Sequence, residues 1–176
     1  MNSDMKRAII IGATSGIGRE VAKQLLLQGW RLGIAGRRLP ALEALQSSAP
    51  DLIEIAVLDV TQPDATPKLN NLIRRVGGMD LFLLSSGIGY QNMELNPDIE
   101  LDTARTNVEG FMRMADTAFH HFRGPFEAKD GGLAELPRQR SQTRPLKTAL
   151  RHNSGGAVNE RTPDVVVVRH HKDAAG

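Results

Sequence analysis

Three glycines spaced Gly12-x-x-x-Gly16-x-Gly18 follow directly on the β-branched run Ile9-Ile10-Ile11. A helical pattern then begins at once, with Val21, Leu25 and Leu26 on one face. Strand, tight turn and helix in that order form the setting in which backbone amides hold the pyrophosphate of a dinucleotide. Gly12 lets the chain turn sharply off the strand. Gly16 lets the backbone come close to phosphates where a Cβ would intrude, and Gly18 lets the helix pack tightly on the strand. The helix N-terminus adds unpaired N–H groups and a partial positive charge suited to an anion. The competing reading is a purely structural turn that happens to be rich in glycine.

A second group of residues bears on which dinucleotide is held. An NAD site places an acidic residue after the second strand, where it takes the ribose hydroxyls. That place carries Gly36-Arg37-Arg38, with no carboxylate nearby. Guanidinium forks match an extra 2′-phosphate through bidentate, charge-assisted hydrogen bonds. The expected cofactor is therefore NADP (NADPH), with Arg37 the leading contact and Arg38 the second. Against this stands the reading of both as solvated surface charges.

The elements that must position these groups follow from hydrophobic periodicity. The first helix closes at Gly29, a natural C′ residue. Trp30–Ala35 reads as a second strand, and a short helix spans about Pro40–Ser48, with Pro at its start. Leu52–Leu58 is a third strand, Ala65–Val76 a third helix closed by Gly77-Gly78, and Leu81–Leu84 a fourth strand. After a polar loop to Pro97, one long helix is expected over Ile99 to about Phe122, with Val108, Phe111, Met112, Ala115 and Phe119 at helical spacing. Regular strand–helix alternation predicts an α/β fold, a Rossmann-like doubly wound parallel sheet with helices on both faces. Ligands bind such sheets at the carboxyl ends of the strands, so the polar clusters after strands one, two and four converge on one crevice.

Gly12-x-x-x-Gly16-x-Gly18, with Thr14 inside it, resembles the cofactor loop of the short-chain dehydrogenase/reductase family. The resemblance extends over about residues 6–122. It assigns Gly12, Thr14, Ser15, Gly16, Ile17 and Gly18 to the cofactor, with Arg37 and Arg38 behind them. Leu58-Asp59-Val60 is similar to the family's Asp-Val pair, in which the carboxylate meets the adenine amino group. Asp59 as a local turn or helix cap remains the equal alternative, since Thr61 and Pro63 follow. Ser85-Ser86-Gly87 stands where the family has Asn-Ala-Gly. Ser86 and Gly87 are carried over as cofactor contacts, and loss of the asparagine at position 85 weakens the match. Asn107 matches the family's catalytic Asn in the middle of the fourth helix, which supports a water linked to the active-site lysine. The other reading of Asn107 is a polar helix residue on the solvent side, but its sequence setting favours the family role.

The family's proton-transfer residues, a Ser and a Tyr with a Lys four positions later, do not appear. A phenol with a pKa of about 10 is a poor base near neutrality without such a cation. The one tyrosine of this chain, Tyr90, precedes Asn107 and has no Lys four positions on. Tyr90 lies in a loop near the crevice, where ligand contact and surface packing are both open. Histidine is the residue type suited to proton transfer near neutrality, but His120 and His121 sit at the far end of the long helix.

Composition breaks at the same place. Up to Phe122 the chain has 12 Lys and Arg against 14 Asp and Glu; from Arg123 onward it has 10 against 6. The second part is punctuated by Gly131-Gly132, Gly155-Gly156 and four prolines, has Phe126 as its one aromatic, and offers a single isolated strand pattern at Val165–Val168. Two regions are expected: a nucleotide-binding domain over 1–122, and a truncated or irregular tail over 123–176 that is frame-shifted, otherwise replaced, or disordered. The formal charge of only +2 makes no strong demand for nucleic acid, and the basic tail lacks interleaved aromatics. No cysteine is present, so disulfide and thiol chemistry are excluded. No apolar run approaches the roughly 20 residues of a membrane span, and the polar start does not read as a signal peptide. The expectation is a cytoplasmic protein with no membrane or nucleic-acid partner. The resemblance implies hydride transfer between NADPH and a small carbonyl or alcohol substrate, impaired here, and assembly as a homo-oligomer. The alternative is a non-catalytic NADP-binding module.

Overall fold

The computed structural model describes residues 5–123 and the backbone of residues 164–167. Its centre is β1 (Arg7–Ile11), where Ala8, Ile9, Ile10 and Ile11 are each at most 1% exposed. A strand buried on both faces must carry apolar side chains on both, which is why this run does not alternate with polar residues. Ile9 and Ile11 point into one core layer and Ala8 and Ile10 into the other.

β1 pairs in parallel with β2 (Arg31–Gly36) on one side and β4 (Leu81–Leu84) on the other. β3 (Ile53–Val57) lies outside β2, and β5 (Asp164–Val167) lies outside β4, giving the order β3-β2-β1-β4-β5. The chain moves outward from β1 through β2 to β3, then returns to place β4 on the opposite side. The reversal opens a crevice at the strand ends between β1 and β4.

Helices cover both faces. Helix α1 (Gly16–Leu27) and α2 (Leu39–Gln46) bury Ala22, Leu25, Leu42 and Leu45 against one layer. Helix α3 (Ala65–Val76) buries Leu69, Leu72, Ile73 and Val76 against the other. Gly77, with φ 88°, takes the left-handed conformation that closes α3.

Two features differ from the sequence reading. The expected single helix over 99–122 is interrupted. Helix α4 (Pro97–Ala104) passes into a π-helical segment, Arg105–Gly110, and continues as α5 (Phe111–Arg123). The wider turn inserts where Asn107 and Gly110 meet neighbouring loops, a tertiary cause that local periodicity does not register. The strand expected to be isolated is also not so: Asp164–Val167 pairs with β4, Leu81 opposite Asp164 through Leu84 opposite Val167. An edge strand's unpaired backbone groups recruit a partner from any distance along the chain. The remainder of the tail lies outside the described residues.

Candidate nucleotide-binding cleft

The strand ends of β1 to β4 meet at a cleft of about 450 Å³. Four consecutive chain turns supply its walls, because parallel strands deliver every following loop to the same edge of the sheet.

The turn after β1 contributes Gly12, Thr14, Ser15 and Ile17 to the lining. Gly12 has φ 93° and Gly16 φ 55°, left-handed conformations that favour glycine. A Cβ on Gly12 would lie 2.7 Å from the Ser86 backbone nitrogen, so the loop and the end of β4 approach as closely as backbones can. Ser15 is the N-cap of α1, yet its side chain makes no capping bond to the helix. The first amides of α1 therefore keep their donors directed beyond the helix end, toward the cleft that Ser15 and Ile17 border. Gly16 and Gly18 do not line the cleft. Gly18 acts by packing: a Cβ there would fall 2.3 Å from Ser85 Oγ and 2.5 Å from the Gly12 carbonyl oxygen.

The turn after β2 brings Gly36, Arg37 and Arg38. Both arginines are exposed, but their surroundings differ. Arg38 donates from Nη2 to the Thr14 carbonyl and to Thr14 Oγ1, each at 3.1 Å. Arg37 lies near enough to Asp59 for its charge to favour the carboxylate.

The turn after β3 adds Leu58, Asp59 and Val60. Asp59 Oδ1 accepts from the Thr61 N–H at 3.0 Å and from the Thr61 hydroxyl at 2.8 Å. Burial acts to raise this carboxyl. The two Thr61 bonds, together with the Arg37 and Lys68 charges, outweigh that effect and hold it below the ordinary aspartate value. The local-turn reading of Asp59 is thus realised through one oxygen, while the residue still borders the cleft.

The turn after β4 supplies Ser85 through Tyr90. Ser85 was not assigned a part by sequence, yet it knits the two halves of the site. Its N–H donates to the Ile11 carbonyl at 2.9 Å and its hydroxyl to the same oxygen at 3.0 Å. The signal available was its place as the first residue beyond a buried strand. Ser86 and Gly87 line the cleft, as does Tyr90, which is 57% exposed. Thr106, from the π-helical segment, also lines it and had no sequence signal.

Asn107 does not line the cleft. Its Nδ2 donates to the Ile88 carbonyl at 2.6 Å and its Oδ1 accepts the Ile88 N–H at 2.9 Å. The side chain thus satisfies both polar groups of one loop residue. Three positions further along, Gly110 meets Val60, where a Cβ would lie 2.6 Å from Val60 Cγ2, and Arg113 donates to the Val60 carbonyl at 2.7 Å. One helical rod therefore holds the loops after β3 and β4 at their working separation.

His120 and His121 border a separate groove between α3 and α5, with Thr66, Asn70, Arg113, Asp116 and Thr117, and neither lines the cleft. The segment 124–163, where the resemblance places the Ser, Tyr and Lys, lies outside the described residues. No group of three or more His, Cys, Asp or Glu able to hold a metal occurs among the described residues. No helix there is long and apolar enough to cross a membrane.

Comparison with known proteins agrees with this geometry. The family model described as short chain dehydrogenase matches residues 6–133, past the composition break. An uncharacterized oxidoreductase of Myxococcus xanthus is 41% identical over 88 residues, covering 48% of this chain and 35% of that protein. Among solved structures, the 3-ketoacyl-(acyl-carrier-protein) reductase of Brucella melitensis complexed with NADH has a TM-score of 0.63 at 26% identity, over 67% of this chain and 50% of that one. An actinorhodin polyketide ketoreductase with NADPH has a TM-score of 0.59 at 25% identity, over 67% of this chain and 48% of that one. The matched part of this chain thus spans no more than about half the length of these relatives.

Proposed function

The chain belongs to the short-chain dehydrogenase family, and on that premise we propose that its cleft binds NADP(H). In this reading the pyrophosphate rests on the amides of residues 14–18, at the α1 N-terminus. The 2′-phosphate meets the guanidinium of Arg37 first, with Arg38 beside it. Asp59 and Val60 flank the adenine, and Ser86 and Gly87 approach the nicotinamide-side ribose. The cofactor, when bound, supplies a hydride for exchange with a small carbonyl or alcohol substrate. The observation that carries the reading is the convergence of the glycine turn, the arginine pair and the ends of β3 and β4 on one cleft. The NADH and NADPH in the two structural relatives support a nicotinamide dinucleotide. The choice of NADP rests on the residues after β2.

In this chain Asn107 serves as a positioning residue, since both ends of its amide are engaged by Ile88. We propose further that turnover is impaired, because no Tyr-x-x-x-Lys occurs in the sequence and a lone phenol is a poor base at neutral pH. That same observation favours a second reading, a module that holds NADP without catalysis. We assign residues 1–122 to the nucleotide-binding domain and 123–176 to a tail of different origin, and place the protein in the cytoplasm. Leu101, Val108, Met112 and Phe119, exposed along α4, the π-helical segment and α5, support self-association. Calorimetric titration of the full chain with NADPH and NADH tests the cofactor assignment; no heat with either nucleotide overturns it. NADPH oxidation across a panel of aldehydes and ketones then separates the two readings, since steady turnover removes the non-catalytic one.

A further inference from the structure

The nucleotide assignment treats Arg37 and Arg38 as a pair, but the structure gives them different neighbours. The glycine-rich turn leans on the end of β2 throughout its first half. The N–H groups of Gly12 and Ala13 both donate to the Ala35 carbonyl, at 2.8 and 3.2 Å. Thr14 then sits directly on Gly36, where a Cβ would fall 2.7 Å from Thr14 Cγ2. Arg38 closes over the same residue, donating to its carbonyl and its hydroxyl. Thr14 is therefore seated from below by a missing side chain and clasped from the side by a guanidinium.

Thr14 lies between Gly12 and Gly16, both at positive φ and both residues that lose the most backbone freedom on folding. Ordering glycine-rich backbone has a high entropic cost, and a loop ordered before the ligand arrives binds more tightly than one ordered by it. Hydrogen bonds from a charged donor are the stronger kind. Arg37 lines the cleft as Arg38 does, but makes no such bond to the glycine turn among the described contacts; its charge acts toward Asp59.

Resting on the NADP reading, we propose that Arg38 is a positioning residue that sets the glycine-rich turn for the pyrophosphate, and that Arg37 alone discriminates the 2′-phosphate. The pyrophosphate is common to both dinucleotides, so a loosened turn weakens both alike. A lost 2′-phosphate contact weakens only one.

The test uses the full chain as wild type, Arg37→Gln and Arg38→Gln, with two measurements. Calorimetry gives the Kd for NADPH and for NADH. Amide hydrogen exchange on the ligand-free protein follows the turn at residues 13–18. Arg37→Gln is expected to raise the Kd for NADPH by roughly tenfold or more, as for loss of a charge-assisted contact, and to leave NADH within about twofold. Arg38→Gln is expected to raise both by a similar factor, roughly threefold to tenfold for loss of hydrogen bonds from a charged donor. It also speeds exchange in the turn, which Arg37→Gln does not. A loss confined to NADPH in Arg38→Gln, or unchanged exchange in its turn, overturns the proposal. If the wild type binds neither nucleotide, the cofactor reading fails, and the exchange measurement still decides whether Arg38 orders the turn.

Discussion

Replacing Asn107 with Ala removes one side chain and strands two backbone groups. The amide of Asn107 exchanges a 2.6 Å and a 2.9 Å hydrogen bond with the Ile88 main chain, and both contacts are partly buried. A typical intramolecular hydrogen bond contributes about 0.5–1.5 kcal/mol net, so the pair together stabilises the fold by about 1–3 kcal/mol. For a chain of this size a loss of about 2 kcal/mol lowers the Tm by about 4–8 °C. The loop that Asn107 holds runs from Ser85 to Tyr90 and forms one wall of the cleft. Nucleotide affinity should therefore fall along with stability, by about tenfold for each 1.4 kcal/mol spent in restoring the loop. Asn107→Asp is the instructive companion. It keeps an acceptor for the Ile88 N–H but sets a carboxylate oxygen against the Ile88 carbonyl, so it should be at least as damaging as Ala despite its near-identical shape. Urea denaturation gives the stability change, titration with NADPH the binding change, and hydrogen exchange at Ile88 localises both. A fully stable Asn107→Ala protein with unchanged exchange at Ile88 would refute the clasp and the positioning role drawn from it.

Two other outcomes follow from contacts at the same cleft. Gly18→Ala places a Cβ 2.3 Å from Ser85 Oγ and 2.5 Å from the Gly12 carbonyl, and overpacking of this kind costs about 1–3 kcal/mol; a melting curve matching wild type would contradict the close approach of α1 to the strand ends. Asp59 is held below its ordinary pKa in the folded state, against the effect of its burial, by Thr61 and by the Arg37 and Lys68 charges. Its contribution is therefore present above the unfolded-state pKa and is lost as pH falls through the lower folded value. Asp59→Asn should remove that acid-side loss, and identical stability–pH profiles for variant and wild type below about pH 5 would count against it.

Much of this was legible in one dimension. A β-branched run, three glycines at fixed spacing and an amphipathic repeat specify strand, turn and helix through short-range sterics and periodicity. The same logic placed Ala65–Val76 and Leu81–Leu84 at the boundaries the fold shows. It also brought Arg37, Arg38, Asp59, Ser86 and Gly87 to one edge, because parallel strands send every loop to the same side. The family resemblance, confirmed over residues 6–133, rests on those local signals.

Which neighbours each residue meets was decided only in three dimensions. Arg37 and Arg38 are chemically identical neighbours, and only the seat of Thr14 on Gly36 tells them apart. Ser85 gains its importance from Ile11, 74 positions away in sequence, and Asn107 from Ile88, across a loop. The π-helical turn at Arg105–Gly110 and the pairing of Asp164–Val167 with β4 likewise have no local signature. Periodicity records which face of an element is apolar. It carries no term for the distant backbone group that a particular side chain will meet once the layers have packed.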